Sequence, residues 1–174
     1  MSEDLDDFAV EVADQIESFL IALGAVARGD FLDGTLSILL LEVSQLLLAG
    51  ARLGAVVDVL PDDHFEPDVG MDPDADGLRE RLAELLAPID DYVEVFDPYD
   101  SGPEIVPSRL SDDLTDVAAD LVHGLQHFRG GRRVEGLWWW QYSYLANWGS
   151  TASSALRALH SAVAHTRLDV EPAG

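Results

Sequence analysis

The chain contains no cysteine and no lysine: its ten basic residues are all arginine, set against 33 aspartates and glutamates. Without cysteine there is no disulfide framework, no thiolate metal site and no thiol nucleophile. The shortage of positive charge excludes more. A formal charge of −23 over 174 residues repels phosphate backbones and anionic headgroups, so nucleic acid and membrane are both ruled out as partners. No basic leader is expected either, since MSEDLDDF is acidic where a secretory or mitochondrial signal would be basic. The most hydrophobic run, Leu36 to Val57, is broken by Glu42, Gln45 and Arg52, each costly at a bilayer centre, and reads as a buried helix. A cytoplasmic protein is the expectation. There is no Gly-rich phosphate loop, no nucleophile elbow and no spacing that singles out a Ser-His-Asp triad, so an enzyme is the less favoured class and no cofactor is expected.

What is present is the material for a core. Hydrophobic residues make up 48% of the chain, and a domain of this length buries roughly 70% of the surface its unfolded chain exposes. One domain accounts for all of it. The acid excess reads first as a solvated, colloidally stable surface. Adaptation to high salt and an acidic face for a basic partner are the other readings.

Apolar residues recur at helical spacing in five segments. Helix 1, about Leu5 to Arg28, carries Phe8, Val12, Ile16, Phe19, Leu20 and Leu23, with Asp4, Asp6 and Asp7 at its positive end and Arg28-Gly29 closing it. Helix 2, from Phe31 or Asp33 to Val57, is apolar almost all round and belongs in the middle of the bundle. Helix 3 takes Pro73 to about Phe96, with Pro88 kinking or splitting it. Its end, YVEVF, can also be read as a short strand, for which nothing elsewhere offers a partner. Helix 4 starts at Ser111 as N-cap and runs inward through Leu114, Val117, Leu121, Leu125 and Phe128 to Gly130-Gly131. Helix 5, about Arg132 to His165, has a seam at Val134, Trp138, Gln141, Leu145, Trp148, Ala152, Ala155, Leu159 and Ala162. Flexible acidic loops are expected near 58–72 and 97–110, and a frayed tail over 168–174. The fold class is therefore all-α: a single-domain antiparallel bundle of about five helices, with helices 2 and 5 central.

The segment LWWWQYSYLANWGSTASSALRALH (Leu137 to His160) resembles the actinobacterial family known as domain of unknown function 5063. LLLEVSQLLLAGARLGAV (Leu39 to Val56), FDPYD (Phe96 to Asp100) and LSDDL (Leu110 to Leu114) are similar to it as well. The resemblance covers most of the chain and implies a helical protein from a high-GC bacterium, which suits the arginine-only basic set. It implies no activity and no site residue.

Three places could hold chemistry. Asp72-Pro73-Asp74-Ala75-Asp76-Gly77 imitates the opening of an EF-hand loop, but Ala83 stands where the bidentate Glu should be, and Asp72-Pro73 reads better as the start of helix 3. His123 and His127, one turn apart with Asp116 and Asp120 on the same side, are weak metal candidates, because no paired Glu-x-x-His motif completes a site. Trp138, Trp139 and Trp140 point in directions about 100° apart, so one helix face cannot bury all three. Either helix 5 is surrounded, or one indole is offered to a partner or ligand. Around them, a polar and aromatic cluster between helices 2 and 5 is expected from Glu42, Gln45, Tyr144, Asn147 and Trp148. It fixes helix register or floors a ligand pocket.

The leading functional expectation is a protein–protein interaction or adaptor module. It would bind a protein partner through its acidic surface or the aromatic helix, or form a homodimer through an exposed Trp or the small-residue face Ser143, Ala146, Ser150, Ser153 and Ser154. The alternative is a small-molecule or metal-binding protein using the cluster or the histidine pair.

Overall fold

Each periodic segment folds as a helix whose apolar stripe faces inward, and the aspartates, glycines and prolines between them set the ends. In the computed structural model, which describes residues 3–31, 33–55, 58–61 and 74–169, α1 spans Glu3–Ala27 and α2 Thr35–Ala55. α3 is Ala75–Leu85, followed by strands β1 (Asp91–Val95) and β2 (Ile105–Arg109). α4 is Leu110–Arg129, α5 Arg133–Ser143 and α6 Gly149–Leu168. A π-helical turn, Tyr144–Trp148, joins α5 to α6 without a break, so the two form one long helix and the described residues hold five helices. Among the described residues the fold is all-α apart from one hairpin. The stripe on α1 is buried at Val12, Ile16, Phe19 and Leu23. Gly29 at +78° and Gly131 at +81° take the left-handed backbone that closes α1 and α4, a conformation that only glycine adopts without strain.

The centre of the bundle is α4 rather than α2. Eleven residues of α4 are buried, against six of α2. The leucines of α2 surround the helix, but only one side of it meets neighbours; Leu41 and Leu48 remain 54% and 65% exposed. By length and composition α2 is apolar enough to cross a membrane. Here its inner face packs into the core through Leu39, Val43, Leu46 and Leu53.

Helix 3 is shorter than its periodicity suggests. Asp74 caps it, its carboxylate accepting from the Gly77 N–H at 3.1 Å, and the chain turns at Leu86–Ile89 around Pro88. Asp76 pairs with Arg79 at 2.9 Å, so two of the EF-hand-like carboxylates serve the helix start; Asp72 and Pro73 lie outside the described residues. The YVEVF segment is a strand after all. Its partner is IVPSR, in the stretch expected to be a flexible loop, and the two pair antiparallel with Asp91 opposite Arg109 and Val95 opposite Ile105. The connecting loop is 96–104, so the expected loop ends well before 110. Val59, in the other expected loop, is buried; residues 62–73 and 170–174 lie outside the described residues.

The long helix departs from its expected seam. Trp140 and Trp148 are both fully buried, while Leu145 is 67% exposed and Val134 and Trp138 are half-buried. Trp140 and Trp148 are eight residues apart, which in an unbroken α-helix leaves them about 80° out of phase. The π turn absorbs one residue, as the Gly149 N–H bonding to Tyr144 O shows, and brings both indoles to the core. Each sits in a glycine notch. A Cβ on Gly124 of α4 would lie 2.2 Å from Trp140 Nε1, and one on Gly50 of α2 would lie 2.7 Å from the Trp148 ring. Trp140 donates to Leu121 O at 3.1 Å and Trp148 to Trp140 O at 3.3 Å, so neither buried N–H is left unsatisfied. Gly124→Ala is expected to cost about 3 kcal/mol in urea unfolding through overpacking. Gly102→Ala, which meets nothing within 4 Å, changes stability by less than about 0.5 kcal/mol.

Candidate functional site

The hairpin is held to the helical body at its base by two buried aspartates. Asp90, 2% exposed, accepts from the Ser111 N–H at 2.7 Å and the Ser111 hydroxyl at 2.9 Å, and pairs with Arg109 at 2.8 Å. Its own carbonyl accepts from the Leu110 N–H at 2.9 Å. The start of α4 is thus capped by a residue twenty positions upstream, and Ser111 is buried inside the first turn instead of capping it. The second anchor is Asp113. Tyr92 of β1 donates its phenol to this carboxylate, and Ser108 of β2 donates at 3.1 Å, so one side chain grips both strands. Burial pushes the Asp113 carboxyl up to about 6, against the pull of these two donors; burial beside the carboxylate likewise raises the Tyr92 phenol.

Beyond these anchors the hairpin stands clear of the helices and leaves a groove of about 790 Å³ along β1. Tyr92, Val93, Glu94 and Val95 all line it. Successive strand residues point to opposite faces, so the groove follows the edge of β1 that β2 does not cover. Phe96 and Ile105, 74% and 73% exposed, extend the apolar wall. Opposite them lie Tyr144 and Leu145 of the π turn, then Ser150, Ser154 and Arg157 of α6. The widened turn swings Leu145 outward while the Tyr144 ring lies against Gly50, Gly54 and Trp148.

The expected cluster between helices 2 and 5 is not assembled. Glu42 and Gln45 face α1, where Ser18 donates to Glu42 and Gln15 to Gln45, both at 3.5 Å; Arg52 pairs with Glu11 at 2.5 Å. The short α1–α2 connection makes these two helices neighbours and turns the polar stripe of α2 toward α1. Asn147 reaches α4 and donates to Asp120 at 2.7 Å. Burial raises the Asp120 carboxyl. Only Tyr144 and Trp148 come together, with rings 4.8 Å apart. The polar link between helices 2 and 5 is Gln141, which donates to Leu53 O at 2.9 Å and accepts from Val59 N–H at 2.8 Å.

The histidine rings lie edge to face, 5.2 Å apart. His127 is buried, and His123 packs on Trp139 at 4.3 Å. Asp116 is held by Arg79 and Asp120 by Asn147. Among the described residues no group of three or more carboxylates and histidines converges to hold a metal ion. The three consecutive tryptophans divide as their directions require. Trp140 is buried, Trp139 donates to Asp120 O at 2.9 Å, and Trp138 stacks on exposed Tyr142.

The Asp113 anchor makes a pH prediction. Because its pKa is higher folded than the 3.8 of an ordinary aspartate, ionised Asp113 opposes folding above pH 6, and that cost fades as pH falls through 6 toward 4. Relative to Asp113→Asn, the wild-type chain should therefore gain on the order of 2 kcal/mol in urea unfolding between pH 7 and pH 4. A difference that does not change with pH would show that Asp113 titrates normally.

Comparison with known proteins adds a lineage and a fold. No curated protein matches the chain. The crystal structure of protein BF1032 from Bacteroides fragilis superposes with a TM-score of 0.72 over 95% of this chain and 94% of that one, at 20% sequence identity. At that identity the likeness is one of fold alone. The family model described as domain of unknown function (DUF5063) matches residues 3–165, a span that takes in α1, the hairpin, the π turn and nearly all of α6. The chain belongs to the DUF5063 family.

Proposed function

We propose that the protein is a cytoplasmic interaction module that takes an extended segment of a partner protein along the free edge of β1. One observation carries this reading: the hairpin presents an apolar wall to solvent while its surroundings are acidic. Val93, Val95, Phe96 and Ile105 are between 46% and 74% exposed, whereas a buried role would have covered them. Residues 91–109 carry Asp91, Glu94, Asp97, Asp100 and Glu104 against a single basic residue, Arg109. That arginine is already engaged by Asp90 and Asp91. The occupant that fits is a strand alternating apolar and basic residues, adding to the sheet by backbone hydrogen bonds with its cations over the acidic rim. The π turn supports the same reading, since such turns cluster at functional sites and this one supplies the opposite wall.

The test is fluorescence anisotropy with a labelled ten-residue peptide alternating valine and arginine. It is expected to bind the wild-type protein, to weaken as salt rises, and to lose at least about tenfold in affinity on Ile105→Glu, a change of about 1.4 kcal/mol. The same peptide with glutamate for arginine should not bind. Absence of binding by the arginine peptide, or binding indifferent to Ile105→Glu, would contradict the proposal.

A further inference from the structure

One cation stands on the wall of the hairpin groove with nothing to neutralise it. The chain spends most of its arginines on acidic neighbours: Arg28 on Asp30, Arg52 on Glu11, Arg129 on Glu17 and Arg133 on Asp6, at 2.5 to 3.1 Å. Arg79 and Arg109 each hold more than one carboxylate. Arg157 of α6 is exposed and lines the groove, and among the described residues no carboxylate pairs with it. Arg81 and Arg167 are unpaired too, but neither lines this groove. The local sequence keeps Arg157 free: from Gly136 to Leu168 there is no Asp or Glu. Asp169 lies about 18 Å further along the helix axis and pairs with His165 at 3.0 Å. Ser150 and Ser154 precede Arg157 at steps of four and three, which puts two hydroxyls and the guanidinium on one face of α6. All three line the groove. Ser153 donates back to Gly149 O at 2.7 Å, whereas the Ser150 and Ser154 hydroxyls make no bond among the described residues.

We infer that Arg157 receives the α-carboxylate of the bound segment, so that the groove takes the C-terminal end of a partner chain and not an internal stretch. This rests on the reading of the groove as a peptide site and adds which part of the partner enters it. A guanidinium offers parallel N–H donors that match the two oxygens of a carboxylate, and the serine hydroxyls beside it can donate to the same group. A segment of alternating apolar and basic residues has one group of the opposite sign, its terminal carboxylate. Glu94 of β1 lines the facing wall and makes no ion pair with Arg157. Opposite charges on facing walls, unpaired with each other, fit a chain end that carries a basic side chain toward one and a carboxylate toward the other. Elsewhere on a surface of charge −23 that carboxylate is repelled. Beside the carboxylate-free length of α6 it has a cation to meet.

The test compares the valine–arginine peptide as free acid and as carboxamide, by fluorescence anisotropy on the full chain. The long-range field alone favours the amide, because the acid brings one more negative charge to an acidic protein. Recognition by Arg157 reverses that order: the acid is expected to bind about three- to fivefold tighter than the amide, the size of an ion pair at an exposed arginine. Arg157→Gln alters an exposed helix position, so the fold should be retained by circular dichroism while acid and amide come to the same affinity. Extending the acid by four glycines carries its carboxylate away from Arg157 and should bring its affinity to that of the amide. An acid that binds no tighter than the amide, or a preference that survives Arg157→Gln or the glycine extension, would overturn the inference. With the amide still bound, the peptide reading of the groove stands in each of those cases. Binding of neither form overturns both.

Discussion

Burying two indoles eight residues apart on a single long helix is the constraint around which the rest of the structure is arranged. An α-helix cannot turn both to one side, and the chain resolves the mismatch by widening one turn at Tyr144–Trp148. Everything adjacent follows. Trp140 enters α4 where Gly124 leaves space, and Trp148 enters α2 at Gly50. The residue that the π turn takes up is displaced outward, so that Leu145 is exposed beside the hairpin while Tyr144 and Trp148 stay packed. Core geometry and groove geometry are thus two consequences of one irregularity.

The hairpin is a different kind of solution. A two-stranded sheet has little stability of its own, and this one is held by polar groups. Asp90 caps α4 and Asp113 links both strands to it. The cost is a carboxylate buried enough to titrate near 6. The gain is an arm that stands away from the helices with its apolar face in water. Polar bonds at the base and apolar residues beyond it suit an element that must be fixed in position while offering its surface.

How much of this could be read from sequence depends on the range of the interaction. Helix positions follow from local periodicity, and the stripes on α1 and α4 fell where spacing put them. The polar face of α2 was legible only in outline, because Glu42 and Gln45 find their partners on α1, 24 and 30 residues away in sequence. β2 was hidden by Pro107 in a proline-rich stretch that reads as loop, although Pro107 does sit in a two-stranded sheet, where every strand is an edge. The cap on α4 could not be read at all, since Asp90 is far from Ser111 in sequence and only the hairpin brings them together. The π turn left a signal that the smooth seam concealed: Trp140, Tyr144 and Trp148 recur at steps of four, a drift an unbroken α-helix would not keep on one face. The candidate site was therefore legible only in Tyr144 and the neighbouring serines, and its hairpin half was not.

If the π turn is a one-residue insertion that rephases the helix, deleting one residue there should be tolerated. Removing Leu145 restores seven-residue spacing between Trp140 and Trp148, about 20° short of two full turns. Removing Ala158, in the regular part of α6, instead rotates everything after it by about 100°. Urea unfolding of the two deletion variants, followed by tryptophan near-ultraviolet circular dichroism, compares them on one scale. The Leu145 deletion is expected to unfold cooperatively with native-like tryptophan signal, and the Ala158 deletion to lose far more stability. Equal losses, or a Leu145 deletion that does not fold, would contradict the insertion.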